Sequence, residues 1–324
     1  MRLCVTGGAG YIGSVVAQTL VDEGHDVTIV DNLSTGHEAA IPKGCRFVKG
    51  DIRDERTVIK ALSQGIEAVL HFAALSVVAD SVERPLDYFD NNAGGTLRIL
   101  QAMKQCDIDR IIFSSSAAVY GDPDRLPIEE TAPCCPTSPY GHSKLFVERM
   151  LRSCQAWGLR FASLRYFNAG GSTGVHGEHH DPESHLIPIV LDVALGKRKQ
   201  FSIFGGDYDT EDGTCVRDYI HVHDLAVAHV LAIDAVSKGF SGILNLGSDK
   251  AFTVLEVVKT VQRVTGREVA HHIGPRRPGD PQALLASSKL AQRTLGWVKT
   301  CSSLEEIVRS AYKWRLEHPR GYSR

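Results

Sequence analysis

Residues 2–13 read RLCVTGGAGYIG, and this stretch decides the fold class. Its first five residues are mostly apolar and predict a buried strand, and Gly7, Gly10 and Gly13 follow at intervals of three. Apolar residues then recur every three or four positions from 11 to 23, which predicts a helix. A strand, a glycine turn and a helix in this order form a dinucleotide fingerprint, because the backbone can closely approach a pyrophosphate at the helix N-terminus.

The alternation of short apolar strands with helices continues along the first half of the chain. Further strands are predicted at 27–30, 46–48, 68–72, 110–113 and 160–164, and longer helices at about 84–105 and 140–155. This order predicts an α/β fold with a Rossmann-type, doubly wound parallel sheet. We expect a dinucleotide-binding domain in residues 1–170. The later segment near 216–234 is a candidate to belong to this domain as well. A smaller, mixed α/β substrate domain is expected in residues 171–324.

Asp31 stands at the end of the second predicted strand. A carboxylate there can accept hydrogen bonds from both hydroxyls of the adenosine ribose and would repel a 2′-phosphate. No lysine or arginine follows in residues 32–36, so the sequence favours NAD over NADP. Asp51 follows the third strand, where it could either contact the adenine or cap the next helix.

Tyr140 and Lys144 are four residues apart at the start of a predicted helix, so they share one face. A phenol has an ordinary pKa near 10, and a nearby ammonium or an oxidised nicotinamide would acidify it enough to act as a base. Lys144 can also bind the nicotinamide ribose. Ser114, Ser115 and Ser116 end the fifth strand, where a hydroxyl can bridge a substrate oxygen and the phenol.

Composition and charge exclude several classes of protein. The 324 residues carry 36 Lys and Arg against 38 Asp and Glu, which argues against a nucleic-acid-binding or membrane-binding surface. No apolar run approaches the ~18 residues that would span a bilayer. The eight cysteines include no CxxC pair, and the N-terminus lacks the pattern of a secretory signal. We therefore expect reduced thiols and a cytoplasmic protein.

Four histidines lie close together in the sequence, at His176, His179, His180 and His185. Their spacing is irregular for a zinc site. A loop of the substrate domain explains them better, so the sequence predicts no metal.

Beyond the glycine turn, further motifs follow in a fixed order: HFAALS, YFDNNAGGT, FSSSAAVYG, SPYGHSK, LRYFNAGG, DGTCVRDYIHVHDLA and PRRPGD. With them the chain resembles the extended short-chain dehydrogenases/reductases and, within them, the UDP-glucose 4-epimerase family. The resemblance covers nearly the whole chain. The glycine turn and the Tyr-x-x-x-Lys pair are shared by the whole superfamily, whereas YFDNN and DGTCVRDYIHV are closer to the epimerases.

The resemblance implies that UDP-galactose and UDP-glucose are interconverted by inversion at C4 through a transient 4-keto sugar, with NAD as a bound cofactor. Tyr140 would take the proton of the 4-hydroxyl while C4 gives up a hydride. Ser116 would assist the proton transfer, and Lys144 would acidify Tyr140 and orient NAD. The keto sugar would turn over before the hydride returns to its other face.

The resemblance also implies two sets of binding residues. The NAD site comprises Gly7, Gly10, Tyr11, Ile12, Gly13, Asp31, Asn32, Leu33, Ser34, Thr35, Gly36, Asp51, Ile52, Phe72, Ala73, Ala74, Leu75, Ser76, Asn91, Ser114, Tyr140, Lys144 and Phe167. The UDP-sugar site comprises Ser116, Tyr140, Asn168, His185, Leu186, Ser202, Ile203, Phe204, Arg217, Tyr219, Arg277, Asp280 and Leu284. Independently of the resemblance, Arg217 and Arg277 suit a diphosphate, as bidentate charged donors.

Three residues depart from the pattern of the family. Ser76 stands where a lysine is common, Ala118 where a threonine is common, and Leu284 where members place a tyrosine or a small residue. Ser76 removes a charged contact to NAD, and Ala118 removes a hydroxyl near the sugar. Leu284 leaves a space of intermediate size beside the sugar's 2-substituent.

Two alternatives remain open at this point. A UDP-pentose or UDP-uronate 4-epimerase would use the same machinery, and a non-catalytic NAD-sensing protein would bind the cofactor only. A sugar-nucleotide 4,6-dehydratase is disfavoured, because Ala117 and Ala118 occupy the place of its acid and base. By resemblance, the helices from about Arg84 and Tyr140 imply a homodimer.

Overall fold

The strand, glycine turn and helix at the N-terminus form the first unit of a seven-stranded sheet. The computed structural model describes residues 1–277 and 280–322. Its strands are β1 (Arg2–Thr6), β2 (Asp26–Asp31), β3 (Arg46–Lys49), β4 (Ala68–His71), β5 (Arg110–Ser116), β6 (Arg160–Tyr166), β7 (Asn168–Gly170), β8 (Phe201–Phe204), β9 (Val216–His221), β10 (Gly242–Leu246), β11 (Ala251–Thr253), β12 (His271–Gly274) and β13 (Ala283–Leu284). Its helices are α1 (Tyr11–Asp22), α2 (Glu55–Leu62), α3 (Val78–Glu83), α4 (Pro85–Tyr88), α5 (Gly95–Gln105), α6 (Pro139–Cys154), α7 (Leu186–Ala194), α8 (Val222–Ser237), α9 (Val254–Thr265), α10 (Lys289–Leu295) and α11 (Leu304–Glu317).

The large sheet has the order β10-β6-β5-β4-β1-β2-β3, and every neighbouring pair is parallel. The strand order reverses between β1 and β4. In open α/β sheets a ligand binds at such a switch point, outside the carboxyl ends of the strands. The Rossmann-type fold predicted from the sequence is thus confirmed.

The chain returns to this sheet after residue 170, further than the sequence indicates. Residues of α8 such as Leu225 and Ile233 are buried in the same core as Leu20 of α1 and Leu164 of β6. Beyond the candidate segment 216–234, β10 pairs with β6 and completes the sheet. The predicted boundary at 170 therefore needs correction, because a strand assigned to the substrate domain lies in the first sheet.

The helix predicted at about 84–105 is confirmed over residues 85–105, with a π-helical turn at its centre. Pro85 starts α4, and residues Phe89–Gly94 form a wide π-helical turn before α5 begins. Such turns are rare and occur frequently at functional sites. This one points Asn92, which is 2% exposed, into the interior.

A smaller region stands over the carboxyl ends of the large sheet's strands. Its central strand β9 pairs with β7, β11 and β13, while β8 and β12 form a parallel pair. Helices α7, α9 and α11 contribute to its core with Val190, Val257 and Ile307. Across residues 1–277 and 280–322, no helix is both long enough and apolar enough to cross a membrane.

Candidate active site

The glycine turn leaves room for a close ligand. Gly7 has a φ of +75°, which favours glycine, and a Cβ on Gly13 would lie 2.2 Å from the carbonyl oxygen of Gly7. Helix α1 begins at Tyr11 without a side-chain cap. Its first N–H groups therefore lack intrahelical partners and can hold an anion, as a dinucleotide pyrophosphate requires.

Asp31 ends β2 beside this turn and is 8% exposed. Its two carboxylate oxygens accept hydrogen bonds from the N–H groups of Ala9 (3.0 Å) and Leu33 (2.8 Å). Burial raises the pKa of Asp31, and these two bonds oppose the rise. The carboxylate is thus held at the strand end, with lone pairs left for ribose hydroxyls.

Asp51 does not cap the following helix, so that alternative is wrong. The N-cap of α2 is Asp54, whose side chain accepts from the N–H of Arg56. Asp51 instead pairs with Arg53 at 2.8 Å, and hydrogen bonds from that guanidinium hold its pKa well below the usual range. Its carboxylate also accepts from the backbone N–H of Arg53 at 2.9 Å and from the Asn32 side-chain amide at 3.0 Å. The contact of Asp51 with adenine stays a prediction.

The segment 72–76 after β4 is held by a residue that the sequence analysis missed. Asn92, not Asn91, accepts from the N–H of Leu75 (2.8 Å) and donates to its carbonyl (3.0 Å). It also donates to the hydroxyl of Ser143 on α6 (3.0 Å). Asn91 only donates to the Asn92 side chain, at 2.9 Å. The π-helical turn Phe89–Gly94 positions Asn92 for these hydrogen bonds. Helical periodicity in the sequence does not reveal such a turn.

The predicted catalytic residues meet where β5 ends and α6 begins. Pro139 starts α6, and Ser138 caps it by accepting from the N–H of Gly141. Lys144 is buried, and its Nζ donates to the carbonyl of Ser114 at 2.7 Å. The same nitrogen lies 5.8 Å from the centre of the Tyr140 ring. An ammonium has three donors, so two remain for ribose hydroxyls.

Burial shifts the pKa values of Tyr140 and Lys144 in opposite directions. Burial raises the pKa of Tyr140, and a hydrogen bond with Ser116 opposes the rise. Burial lowers the pKa of Lys144 to about 7, against the attraction of Glu148. Lys144 is therefore only partly charged near neutral pH, and its ammonium favours the phenolate of Tyr140 mainly below pH 7.

Several predicted substrate residues lie in the smaller region, on β8, β9 and β13 or in the segments beside them. Arg217 lies 2.6 Å from Asp280 in an ion pair that is mostly buried, and Leu284 pairs with Arg217 across β13 and β9. The Arg277 guanidinium lies 3.8 Å from the centre of the Phe204 ring. The two arginines are linked through Asp280, whose carboxylate pairs with Arg217 and whose N–H donates to the carbonyl of Arg277 at 3.2 Å.

Other predicted residues are placed less directly. The side chains of Ile203 and Tyr219 are buried in the core of the smaller region, so Ile203, at 1% exposure, can offer only backbone atoms to a ligand. Asn168 donates to the carbonyl of Asp218 at 2.9 Å. The His185 ring is turned toward Glu178, with Nδ1 2.8 Å from a carboxylate oxygen, so only its Nε2 remains for substrate.

The remaining predicted residues lie in the segments already described or beside them. Residues 32–36 form the loop after β2, in which Ser34 donates its N–H to the Asn32 side chain. Leu186 begins α7, and Ser202 lies within β8. The others lie in segments that follow strands of the large sheet: Thr35, Gly36, Ile52, Phe72, Ala73, Ala74, Ser76 and Phe167.

Comparisons with known proteins agree with this geometry. The model of the NAD dependent epimerase/dehydratase family matches residues 3–247. The chain is 50% identical to the UDP-glucose 4-epimerase of Halalkalibacterium halodurans, over an alignment that covers 100% of this chain and 98% of that protein.

Two solved structures are also similar. The UDP-glucose 4-epimerase of Bifidobacterium longum, in complex with NAD⁺ and UDP, has a TM-score of 0.95 and 39% identity and covers 99% of this chain and 100% of that one. The enzyme of Stenotrophomonas maltophila, with bound NAD and formylated UDP-arabinopyranose, has a TM-score of 0.95 and 41% identity and covers 99% of both chains. The chain therefore belongs to the NAD-dependent epimerase/dehydratase family, and its relatives group it with the UDP-glucose 4-epimerases of that family.

Proposed function

We propose that the protein interconverts UDP-galactose and UDP-glucose by inverting C4 of the sugar, with Tyr140 as the base. The observation that carries the proposal is the grouping of Tyr140, Ser116 and Lys144 at the end of β5, in the same parallel sheet as the strand that leads into the glycine turn. The 50% identity to a UDP-glucose 4-epimerase over the full chain supports the same substrate pair.

Tyr140, Ser116 and Lys144 each have a separate task in this reaction. Tyr140 takes the proton of the 4-hydroxyl and returns it after the sugar has turned over. Ser116, which hydrogen-bonds Tyr140, passes that proton and holds the 4-keto oxygen. Lys144 holds the nicotinamide ribose with the two donors that Ser114 leaves free. When bound, NAD⁺ would take up and return the C4 hydride, and its charged ring would help to acidify the phenol.

The diphosphate is the pivot for the turn of the sugar. Arg217 and Arg277 supply charge-assisted hydrogen bonds to it, and Asp280 holds Arg217 in place from the side. Because these contacts involve only the diphosphate, the sugar can present either face to the same base. No net oxidation results, so the cofactor stays bound between turnovers.

The direct test is to incubate the purified protein with UDP-galactose, without added NAD, and to follow UDP-glucose by chromatography. We expect conversion with a cofactor that copurifies. Conversion of UDP-pentoses or UDP-uronates alone would favour the alternative epimerases. NAD binding with no conversion of any UDP-sugar would favour a non-catalytic NAD-sensing protein.

Replacing Lys144 tests its effect on the base. The acid limb of the pH–rate profile reports loss of the phenolate as the pH falls. Below pH 7 Lys144 is charged and favours the phenolate, so Lys144→Met should raise the pKa of Tyr140 and move the acid limb up by about 1 pH unit. Lys144→Arg keeps the charge and serves as the control. If the acid limb of the pH–rate profile were unchanged in Lys144→Met, the role of Lys144 would be limited to orienting the cofactor.

We also propose a homodimer formed by α3 to α6. Large apolar side chains are exposed on these neighbouring helices: Val82 is 64% exposed, Leu86 78%, Leu97 42% and Phe146 42%. Exposed large apolar side chains on neighbouring helices are typical of a protein–protein interface. The eight free cysteines support a reducing compartment, and we propose the cytoplasm.

Light scattering at micromolar concentration should give about twice the chain mass of 35.3 kDa. Phe146→Glu should shift the protein to the monomer, because it would bury unpaired like charges at the interface. Leu316→Glu, at an equally exposed residue on α11, is the matched control and should leave the mass unchanged. A monomeric wild-type protein would contradict the proposal.

A further inference from the structure

The loop between β7 and α7 brings four potential metal ligands together. Glu178, His180, Glu183 and His185 each offer one ligand atom, and these four atoms lie within 4.8 Å of one another. We name this group the Glu/His cluster. Of its members only His185 is also a predicted substrate residue, and its Nδ1 faces the cluster while its Nε2 remains for substrate.

Three of the four His–Glu separations in the Glu/His cluster are close to the distance between neighbouring ligands of a metal ion, and all four ligand atoms lie within 4.8 Å of one another. His180 Nδ1 lies 3.5 Å from Glu178 and 3.6 Å from Glu183, and His185 Nδ1 lies 3.5 Å from Glu183. These separations are too long for hydrogen bonds, whereas a tetrahedron of ligands around zinc has edges of ~3.3–3.4 Å. Only the contact of His185 with Glu178, at 2.8 Å, is shorter.

A second observation points to a ligand at the same place. His180 Nδ1 is buried and has no hydrogen-bond partner in the structure. A buried polar atom without a partner costs free energy, and native structures avoid it unless a water or an ion completes the site. This nitrogen faces both carboxylates, so a cation between them would satisfy it.

The charge of the Glu/His cluster can be balanced by a divalent cation. Glu178 is 7% exposed and Glu183 10%, and buried carboxylates need counter-charges. Arg315 lies 3.5 Å from Glu183, but it also pairs with Asp192 at 2.7 Å. One guanidinium among three carboxylates leaves two negative charges. Two protonated imidazoles balance them, and a divalent cation that displaces both imidazole protons balances them equally.

We propose that the Glu/His cluster binds one structural Zn²⁺ in a tetrahedral site of two imidazole nitrogens and two carboxylate oxygens. This ligand type suits zinc, and four protein ligands leave no open position for catalysis. The contacts around Glu183 support it: the N–H groups of Ser184 and His185 hydrogen-bond its carboxylate at 2.9 and 3.0 Å and fix its orientation.

The position of the ion explains what it would do. The His180 ring packs edge-on against Tyr11, at 6.5 Å between ring centres, and the Tyr11 hydroxyl donates to the carbonyl of Gly171 at 2.7 Å. His185 is directly followed by Leu186, the first residue of α7. A zinc ion here would fasten the loop to the start of α7 and hold it against the glycine turn, between the two binding regions.

Metal content of the full-length protein, purified with its cofactor, tests the proposal. After loading with Zn²⁺ and removal of loose metal on a chelating resin, mass spectrometry of the metals should find about one zinc per chain. His180→Ala and Glu178→Gln should each lose most of it. His179→Ala is the control, because the neighbouring ring stacks on His37 at 4.5 Å and is not in the cluster. Little zinc in the wild type, or equal zinc in His180→Ala, would overturn the proposal.

Two further measurements keep the test decisive where a variant folds poorly. Co²⁺ bound to the wild type should give the intense visible bands of tetrahedral coordination, and the weak bands of six-coordinate Co²⁺ would contradict the site. Removing zinc with a chelator, which can reach His185 at 48% exposure, should lower the melting temperature until zinc is restored. An unchanged melting temperature after verified removal would contradict a structural role.

Discussion

Tyr140→Phe is expected to lower kcat by ~10²–10⁴-fold while NAD remains bound. The substitution removes only the phenolic oxygen, which is the atom that must take the proton of the sugar hydroxyl. The ring keeps its edge-on packing with Tyr88, at 6.4 Å between centres, so the site should retain its shape. Turnover of UDP-galactose and the cofactor content of the same preparation check both parts.

Tyr88→Phe is the matched control for this experiment. The Tyr88 hydroxyl donates to the carbonyl of Val77 at 2.6 Å and is not part of the proposed proton path. We expect turnover within a few-fold of the wild type. If Tyr140→Phe retained turnover, another group would have to be the base. If it lost NAD as well, the effect would be one of binding.

Glu148→Gln is expected to reduce the free energy of unfolding by ~3–5 kcal/mol. Glu148 and Arg165 are 3% and 2% exposed, and two guanidinium nitrogens of Arg165 lie 2.9 and 2.6 Å from the carboxylate. The hydroxyl of Ser115 donates to the same carboxylate at 2.6 Å. Removing the negative charge leaves the buried guanidinium unpaired, which is the costly part. Chemical denaturation of the NAD-loaded protein measures the loss.

The double variant Glu148→Gln/Arg165→Met separates the two contributions. It removes both charges, so it should recover part of the stability that the single variant loses. The pair between Arg309 and Glu305 on α11 is the exposed comparison, with side chains 59% and 47% exposed. Arg309→Ala should cause little loss, because solvent screens that pair. Equal losses in the single and double variants would show that the unpaired charge is not the cause.

These two predictions depend on the same helix, α6. Its N-terminal turn carries Tyr140, its second turn carries Lys144 and its third carries Glu148. The carboxylate of Glu148 opposes the loss of charge on Lys144. The buried ion pair therefore supports the site as well as the fold, and Glu148→Gln should also weaken the effect of Lys144 on Tyr140.

Local patterns were sufficient for much of the fold. The helix predicted at 11–23 is α1, and the strand predicted at 27–30 is β2 within one residue at each end. Both follow from contacts between neighbours along the chain: apolar residues at helical spacing and glycine at the turn. The pairing of Tyr140 with Lys144 is equally local, because residues four apart share a helix face.

Other features depend on which distant segments fill the same space. The edge strand β10 joins the sheet because β6 offers an unpaired edge, and nothing in the five residues Gly242–Leu246 specifies that partner. The π-helical turn at Phe89–Gly94 is likewise a tertiary effect, since it lets Asn92 hydrogen-bond both the segment after β4 and Ser143 of α6.

The sequence by itself therefore determined the glycine turn, the acid at the end of β2 and the Tyr140–Lys144 pair, since each is a property of a short stretch of chain. Only the tertiary structure decided that Asp54 rather than Asp51 caps α2, and that Glu178 and Glu183 meet His180 and His185 around one point. The spacing of those histidines is irregular, and an irregular loop has no period from which side-chain directions can be read. Its ligand geometry exists only after the loop has packed against α1 and the start of α7.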